Sequence, residues 1–190
     1  MRTKIFIRAD EHNPAHIQNT INFSRILHQA FDTTFIISYE NNDLQTRLEW
    51  TGNKAIQLPR EMGLIEEAYF IAEAYLDEAS ITVLHGQQFR SVYQEVIKST
   101  RCKLVCIDDN FQTHYRADVV LNDLAFNEYS YATLAATKQS LGLDYLLLDK
   151  CFSAAKAQIN QQLSNAKEED SVLVCLEAKS NNFLLLGVGK

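Results

Sequence analysis

Short runs rich in β-branched and aromatic residues alternate with longer stretches of helical periodicity over most of the chain. The strand-like runs are Lys4–Arg8, Thr33–Ser38, Lys54–Gln57, Ile81–Leu84, Lys103–Ile107 and Val119–Leu121. Strands that alternate with helices of about 10–15 residues form βαβ units, whose strands pair in parallel. The sequence therefore predicts an α/β fold with a mostly parallel sheet.

Helical signals occupy the stretches between these strands. Asn13 and Pro14 have the form of an N-cap and a first helical position, so a helix begins there and runs to about Ala30. A shorter helix, Asp43–Trp50, is closed by Gly52. Two further faces repeat at helical spacing: Ile65, Ala68, Tyr69, Ala72, Tyr75, Leu76 and Ala79, then Phe89, Val92, Tyr93, Val96 and Ile97. We expect both faces, tyrosines included, to pack into the core.

The pattern changes towards the end of the sequence. Further helices are predicted near Tyr129–Ala136 and over Asp149–Asn165, followed by a polar stretch typical of a linker. Val172–Leu176 is then predicted to open a new unit. The predicted domains are residues 1–165 and, as a linker with the first strand of a truncated second domain, 166–190.

Composition excludes several classes of function. The chain has 6 Gly and 2 Pro, and its first glycine is Gly52, which excludes a glycine-rich phosphate loop near the N-terminus. A net charge of −6 without a Lys/Arg cluster argues against a nucleic-acid-binding face. No apolar run approaches the roughly 18 residues of a membrane span. Arg8 and Asp10 interrupt the N-terminal apolar segment, so no secretory signal is expected.

The four cysteines are Cys102, Cys106, Cys151 and Cys175. They form neither a CxxC pair nor a paired metal-binding spacing, which favours buried thiols in a reducing compartment. We therefore expect a cytoplasmic protein.

Polar and ionisable residues follow the predicted strands, at the edge where open parallel sheets bind ligands. They are Asp10, Glu11, His12 and His16 after the first strand, His85 after Ile81–Leu84, Asp108, Asp109 and His114 after Lys103–Ile107, and Asn122 after Val119–Leu121. Four of the five histidines thus fall on one predicted edge.

These residues each have a structural alternative. Asp10 could simply end a strand and bond to the next loop. His16 is either a core histidine or a general base. Asp108 and Asp109 form either a turn or N-cap, or a pair that binds or orients a ligand.

A metal site built from His85, Asp108, Asp109 and His114 is a further alternative. No HxH or HExxH spacing supports it. We therefore expect neither a metal nor a cofactor.

Several segments match one family in order and spacing over about residues 4–176. The matching residues are Arg8-Ala9-Asp10, His16, Leu104–Asp109, Ala117–Asn122 and Leu141–Phe152. Together they resemble the nucleotide-sugar hydrolases of pseudaminic acid biosynthesis and the related spore-coat polysaccharide biosynthesis proteins. That family is similar to the MurG-like glycosyltransferases of the GT-B fold.

The resemblance implies a fold and an activity. The fold is a Rossmann-like sheet with helices on both faces, the N-terminal half of a GT-B pair. The activity is hydrolysis of a UDP-linked diacetamido-trideoxy sugar. His16 matches the family's base, and Asp10 lines the same pocket. The residues expected to contact the nucleotide sugar are Arg8, His85, Asp108, Asp109 and Asn122. UDP would bind a second domain, so a partner chain or a second copy would complete the cleft.

The sequence departs from the family at two glycine motifs. Asn13–His16 reads NPAH where the family has a glycine-rich loop, and EAKSNN follows Leu176 in place of G-G-(S/T)-D. These departures favour an alternative in which the chain is a non-enzymatic binding or interaction domain derived from the family.

Overall fold

The computed structural model describes residues 2–109, 114–123, 131–134, 136–148, 172–176 and 184–188, the last two as backbone alone. Two compact units divide the chain, residues 1–148 and residues 149–190. The predicted boundary at 165–166 and the predicted helix over 149–165 lie outside the described residues.

The first unit contains nine strands and four α-helices among its described residues. The strands are β1 (Lys4–Ala9), β2 (Asp32–Ile37), β3 (Lys54–Gln57), β4 (Ile81–His85), β5 (Lys103–Ile107), β6 (His114–Tyr115), β7 (Val119–Asn122), β8 (Ala132–Thr133) and β9 (Lys138–Leu141). The helices are α1 (Pro14–Leu27), α2 (Asn42–Trp50), α3 (Leu64–Tyr75) and α4 (Ser91–Lys98), and a 3-10 turn follows at Leu143–Tyr145.

Seven of these strands form one parallel sheet in the order β3-β2-β1-β4-β5-β7-β9. This arrangement confirms the predicted Rossmann-like α/β fold. From β1 the chain first builds outward through β2 and β3, then returns to β4 on the other side of β1. The carboxyl ends of β1 and β4 therefore flank the point where the strand order reverses, which is where such sheets bind ligands.

Helices cover both faces of the sheet, as predicted. Neighbouring residues of a strand face opposite sides, so β1 contributes Ile5 and Ile7 to one core and Phe6 to the other. The first core joins them to buried residues of α1 and α2, including Ile17, Ile21, Leu44 and Leu48. The second joins Phe6 to α3 and α4 through Ala68, Ile71, Tyr93 and Ile97.

Helix ends follow local chemistry. The Asn13 side chain caps α1 by accepting from the Ala15 N–H, with Pro14 in the first turn, as predicted. The helix ends at Leu27 rather than near Ala30, which is exposed. Gly52 follows α2 with a φ of +77°, the left-handed conformation expected of a residue that closes a helix.

The predicted burial of Ile65, Tyr69 and Val92 is wrong. They are 41%, 61% and 58% exposed, whereas Tyr93 is 1% exposed. Ala79, predicted on the same face, is exposed and lies beyond the end of α3. In α3 the buried face is Glu67, Ala68, Ile71 and Ala72. Glu67 takes the inward position because it forms an ion pair with Arg8, and this rotates Tyr69 towards solvent.

The helix predicted near Tyr129–Ala136 is also wrong where the structure describes it. Residues 131–134 contain the short strand β8, which pairs in parallel with β6. Tyr131 is buried there and its hydroxyl donates to Asp108 at 2.6 Å, a tertiary contact that fixes the segment in an extended form.

In the second unit, the strand predicted at Val172–Leu176 is confirmed as β10. It pairs antiparallel with β11 (Leu184–Val188). In the first unit, Cys102 and Cys106 are buried free thiols, as expected. Among the described residues, no helix has the length and apolar character needed to cross a membrane.

Asp118 links α4 and β5 to the start of β7, at the amino ends of these strands, and gives a test of the fold. Its Oδ2 accepts from Lys98 Nζ and from the Leu104 N–H, each at 2.7 Å. Burial opposes its ionisation, but these two donors outweigh burial and hold the pKa of Asp118 below its ordinary value of 3.8.

We expect Asp118→Asn to lower the free energy of unfolding at pH 7 by about 1.5–3 kcal/mol, because the charged hydrogen bond is lost. A carboxylate with a lowered pKa stabilises the fold above its ordinary value of 3.8 and loses that contribution as the pH falls through its folded value. The difference between variant and parent, measured by urea denaturation, should therefore close below about pH 4. Asp144→Asn, at an exposed aspartate, is the control. An equal loss in both variants would contradict the assignment.

Candidate functional site

Three strands bring their carboxyl ends together where the strand order reverses. Ala9 of β1 lies opposite His85 of β4, and His85 lies opposite Ile107 of β5. Asp10 directly follows β1, and Asp109 is the second residue after β5. The connection from β1 to α1 is short, so His16, in the first turn of α1, lies at the same edge.

His16, His85 and Asp109 form a compact cluster there, which we call the histidine cluster. His16 Nε2 is 2.6 Å from Asp109 Oδ2, and His85 Nε2 is 3.8 Å from the same oxygen. The two imidazole rings lie 4.2 Å apart between centroids. One carboxylate oxygen thus faces a nitrogen from each of two stacked imidazoles.

Asp10 and Asn13 complete the surroundings of His16. Asp10 Oδ2 lies 3.8 Å from His16 Nδ1. Asn13 Nδ2 lies 2.9 Å from His16 Nε2. The orientation of the Asn13 amide is fixed, because its Oδ1 accepts from the Ala15 N–H at the start of α1. The capping residue of α1 therefore also orients the histidine.

The imidazoles are buried and the carboxylates are partly open to solvent. His16 is 2% and His85 0% exposed, while the side chains of Asp109 and Asp10 are 32% and 22% exposed. Hydrogen bonding to His16, with a smaller contribution from the neighbouring imidazole of His85, holds the pKa of Asp109 well below its ordinary value. Burial lowers the pKa of His85, although Asp109 opposes this. A neutral imidazole and an ionised carboxylate thus lie side by side.

Several ring nitrogens of the cluster lack a hydrogen-bond partner among the described residues. They are His16 Nδ1, His85 Nδ1 and His85 Nε2, all buried. A buried polar group left without a partner costs about 1–3 kcal/mol. Such a cost is typical of a place where a ligand, an ion or water completes the bonding.

Asp108 and Asn122 were predicted to contact a ligand, and the structure places both in a buried network beside the cluster. Asn122 Nδ2 donates to Tyr131 Oη at 2.6 Å and to Asp108 Oδ2 at 3.3 Å. The Tyr131 hydroxyl in turn donates to Asp108 Oδ2 at 2.6 Å. This network fixes the turn from which Asp109 projects. Sequence reasoning missed Tyr131, because its hydroxyl bonds to Asp108, which lies 23 positions away.

Arg8, also predicted to contact substrate, is buried in an ion pair. Its guanidinium donates to both oxygens of Glu67 at 2.8 and 2.9 Å, and to Glu11. Tyr93 Oη donates to Glu67 at 2.9 Å, and Ser38 N–H donates to Glu11 at 2.7 Å. Arg8 thereby holds Glu11 at the sheet edge, and its contact with substrate remains a prediction.

A cavity of about 680 Å³ opens at the carboxyl ends of β1, β2 and β3, next to the histidine cluster. Its lining includes Glu11, His12, Ser38, Tyr39, Glu40, Asn41, Leu58, Arg60, Glu61, Met62 and Glu67. Because Asp10 and Glu11 are neighbours in the chain, the cavity and the cluster are adjacent. Glu11 and Glu67 are paired with Arg8, which leaves Glu40 and Glu61 against Arg60 in the lining and favours a ligand rich in hydroxyl or amide groups over an anion.

The four histidines predicted at this edge thus separate into two groups. His16 and His85 meet in the cluster. His12 is exposed at the cavity, and His114 is exposed on β6, where its carbonyl accepts from Ser91. The metal site considered from the sequence consisted of His85, Asp108, Asp109 and His114. In the structure, His85 and Asp109 lie together with His16 instead.

The comparisons with known proteins do not identify the chemistry of this site. No family model and no curated protein matches the chain. A putative HAD family hydrolase from Streptomyces avermitilis is 8% identical over 56% of this chain and 71% of that one, with a TM-score of 0.34. Chloroplast FtsY from Physcomitrella patens is 6% identical over 64% of this chain and 50% of that one, with a TM-score of 0.30. Likenesses this distant carry no argument about the site.

Gly86 allows Asp10 to approach β4 and gives a test of the site's packing. Its φ is +153°, and a Cβ added there would lie 2.8 Å from Asp10 Cβ. Gly52 also has a positive φ, of +77°, but nothing lies within 4 Å of an added Cβ.

We therefore expect Gly86→Ala to lower the free energy of unfolding by about 1–3 kcal/mol more than Gly52→Ala, because only the first adds a collision to backbone strain. Urea denaturation measures both. Equal losses would show that Asp10 does not depend on the close approach at Gly86.

Proposed function

We propose that the chain is the N-terminal half of a nucleotide-sugar hydrolase, acting on a UDP-linked diacetamido-trideoxy sugar or a close relative in surface polysaccharide or nonulosonate biosynthesis. The observation that carries the proposal is the contact of 2.6 Å between His16 Nε2 and Asp109 Oδ2 at the carboxyl edge of the sheet. The name of the substrate rests on the sequence resemblance; the class of reaction rests on this contact and its surroundings.

The His16–Asp109 pair has the parts of a general base. With its hydrogen on Nε2, His16 donates to the ionised Asp109 and keeps the lone pair on Nδ1. That nitrogen lies 3.8 Å from Asp10 Oδ2, so a water held by Asp10 would be within reach of it. As the water attacks the anomeric carbon, Nδ1 takes its proton and the bond from that carbon to the diphosphate oxygen breaks.

The adjacent cavity suits the sugar end of the substrate. Hydroxyl and acetamido groups can donate to Glu40 and Glu61, whereas a diphosphate would be repelled by the same two carboxylates. In this proposal the sugar occupies the cavity and the UDP lies on a second domain, contributed by a partner chain or a second copy of this one. The protein would act in the cytoplasm.

A second candidate is a non-catalytic binding domain derived from the same family. The burial of His16, of which 2% is exposed, favours it, because a buried histidine also serves to position neighbouring residues. The cavity would then bind a sugar without hydrolysing it.

His16→Asn separates the two candidates. If His16 is the base, this variant should lose about 100- to 10,000-fold in UDP release from the UDP-linked sugar. His28→Asn, the same substitution at an exposed residue at the other end of α1, should keep the parent's activity. A parent without activity, combined with a large loss of thermal stability in His16→Asn, would support the binding domain instead.

A further inference from the structure

We propose that His16, His85 and Asp109 form a binding site for one divalent first-row transition-metal ion such as Zn²⁺. Each residue offers one ligand atom, and these atoms lie within 4.8 Å of one another. Two imidazoles and one carboxylate are a donor set that such ions favour, and three protein ligands leave positions for water or substrate.

The spacing of the donors is close to what a metal requires. Ligands about 2.1 Å from a common ion lie roughly 3.0–3.4 Å from one another in octahedral or tetrahedral geometry. The contacts of Asp109 Oδ2 with His16 Nε2 and His85 Nε2, at 2.6 and 3.8 Å, lie on either side of that range. Changes of about 0.4 Å would bring each of these two contacts into that range.

His85 gives the independent observation that points to a ligand. It is fully buried, and neither of its ring nitrogens has a hydrogen-bond partner among the described residues. Because an imidazole needs a partner for its lone pair, a cation beside Nε2 would satisfy it and leave Nδ1 with the hydrogen.

His16 shows a second unsatisfied arrangement. Its Nε2 faces both the Asn13 amide nitrogen, at 2.9 Å, and Asp109 Oδ2, at 2.6 Å. One ring nitrogen carries either a hydrogen or a lone pair, so it cannot donate to Asp109 and accept from Asn13 together. A cation between Nε2 and Asp109 would let both direct lone pairs at the ion, and the Asn13 amide would then no longer donate to Nε2.

The surroundings also fit a metal. Asp10 Oδ2, 3.8 Å from His16 Nδ1, is in place to accept the hydrogen that the metal-bound ring carries there. The partly exposed Asp109 gives an ion a path from solvent. The two imidazoles select against Mg²⁺ and Ca²⁺, which prefer oxygen ligands alone.

This proposal does not depend on the proposed hydrolysis, because metal binding is measured without substrate. A metal on Nε2 leaves the hydrogen on Nδ1 of His16, so the base proposed for hydrolysis belongs to the metal-free chain. The full chain, treated with a chelator and then freed of it, is titrated calorimetrically with Zn²⁺ and Co²⁺, and in parallel with Mg²⁺ and Ca²⁺. We expect one Zn²⁺ or Co²⁺ per chain, no measurable Mg²⁺ or Ca²⁺ binding, and weaker Zn²⁺ binding as histidine becomes protonated at low pH.

Variants test the ligand set. Asp109→Asn and His85→Asn should each weaken Zn²⁺ binding by more than about 100-fold, and Asp10→Asn by about 10- to 100-fold. His28→Asn and His114→Asn, at exposed histidines outside the cluster, should bind as the parent does. Circular dichroism checks folding, and the partly exposed Asp109 supplies a variant whose fold does not rest on a buried ring.

X-ray absorption of the Zn²⁺-loaded parent gives a measurement that needs no variant. Two imidazoles and oxygen ligands support the proposal. Sulfur ligation would place the ion at a cysteine and overturn it, as would the absence of Zn²⁺ binding or unchanged affinity in Asp109→Asn.

Discussion

The parallel pairing of β4 with β1 on one side and with β5 on the other places the members of the site. Ala9 lies opposite His85, and the ladder continues into the loop, where the Asp10 N–H donates to the His85 carbonyl at 2.8 Å. A shift of one residue in this register would turn His85 to the opposite face of the sheet, away from His16. The apolar alternation of β1 fixes the register, because Ile5 and Ile7 must face one core and Phe6 the other.

The ionisable groups at this edge form two different arrangements. Arg8 and Glu67 are both buried and form a bidentate pair that Tyr93 and Ser38 extend, so these charges are used inside the protein. At the histidine cluster the buried groups are imidazoles, and the carboxylate beside them is partly open to solvent. The Arg8–Glu67 pair links β1 to α3, whereas the histidine cluster has ring nitrogens that can still bind a ligand. A buried pair such as Arg8 and Glu67 contributes little net stability, but removing one partner alone is costly.

Much of the fold followed from local pattern. The bounds of β3 and β5 match the prediction, and the cap of α1 at Asn13 does too, because propensity, periodicity and capping agree in these segments. The convergence of Asp10, His85 and Asp109 also followed, since the ends of parallel strands share one edge. His16 lies beside His85 because the loop between β1 and α1 is short, which keeps the first turn of α1 at the same edge.

Tertiary contacts explain the predictions that failed. Glu67 is buried in place of Tyr69 because a guanidinium 59 positions away in the sequence neutralises it, and no local pattern reveals such a partner. Residues 131–134 are extended rather than helical because the Tyr131 hydroxyl bonds to Asp108 and Asn122. In both places a buried polar contact outweighs helical periodicity.

His16, His85 and the partly exposed Asp109 form one cluster at the carboxyl ends of the strands, with both imidazoles buried. Nitrogen-15 NMR of the histidine rings in the chelator-treated protein, recorded between pH 4 and 8, tests this arrangement. We expect His85 to stay neutral to a pH below its ordinary pKa of 6.5, and Asp109→Asn to alter the ring signals of both His16 and His85. A His85 that titrates at 6.5 or above, with ring signals unaffected by Asp109→Asn, would contradict it.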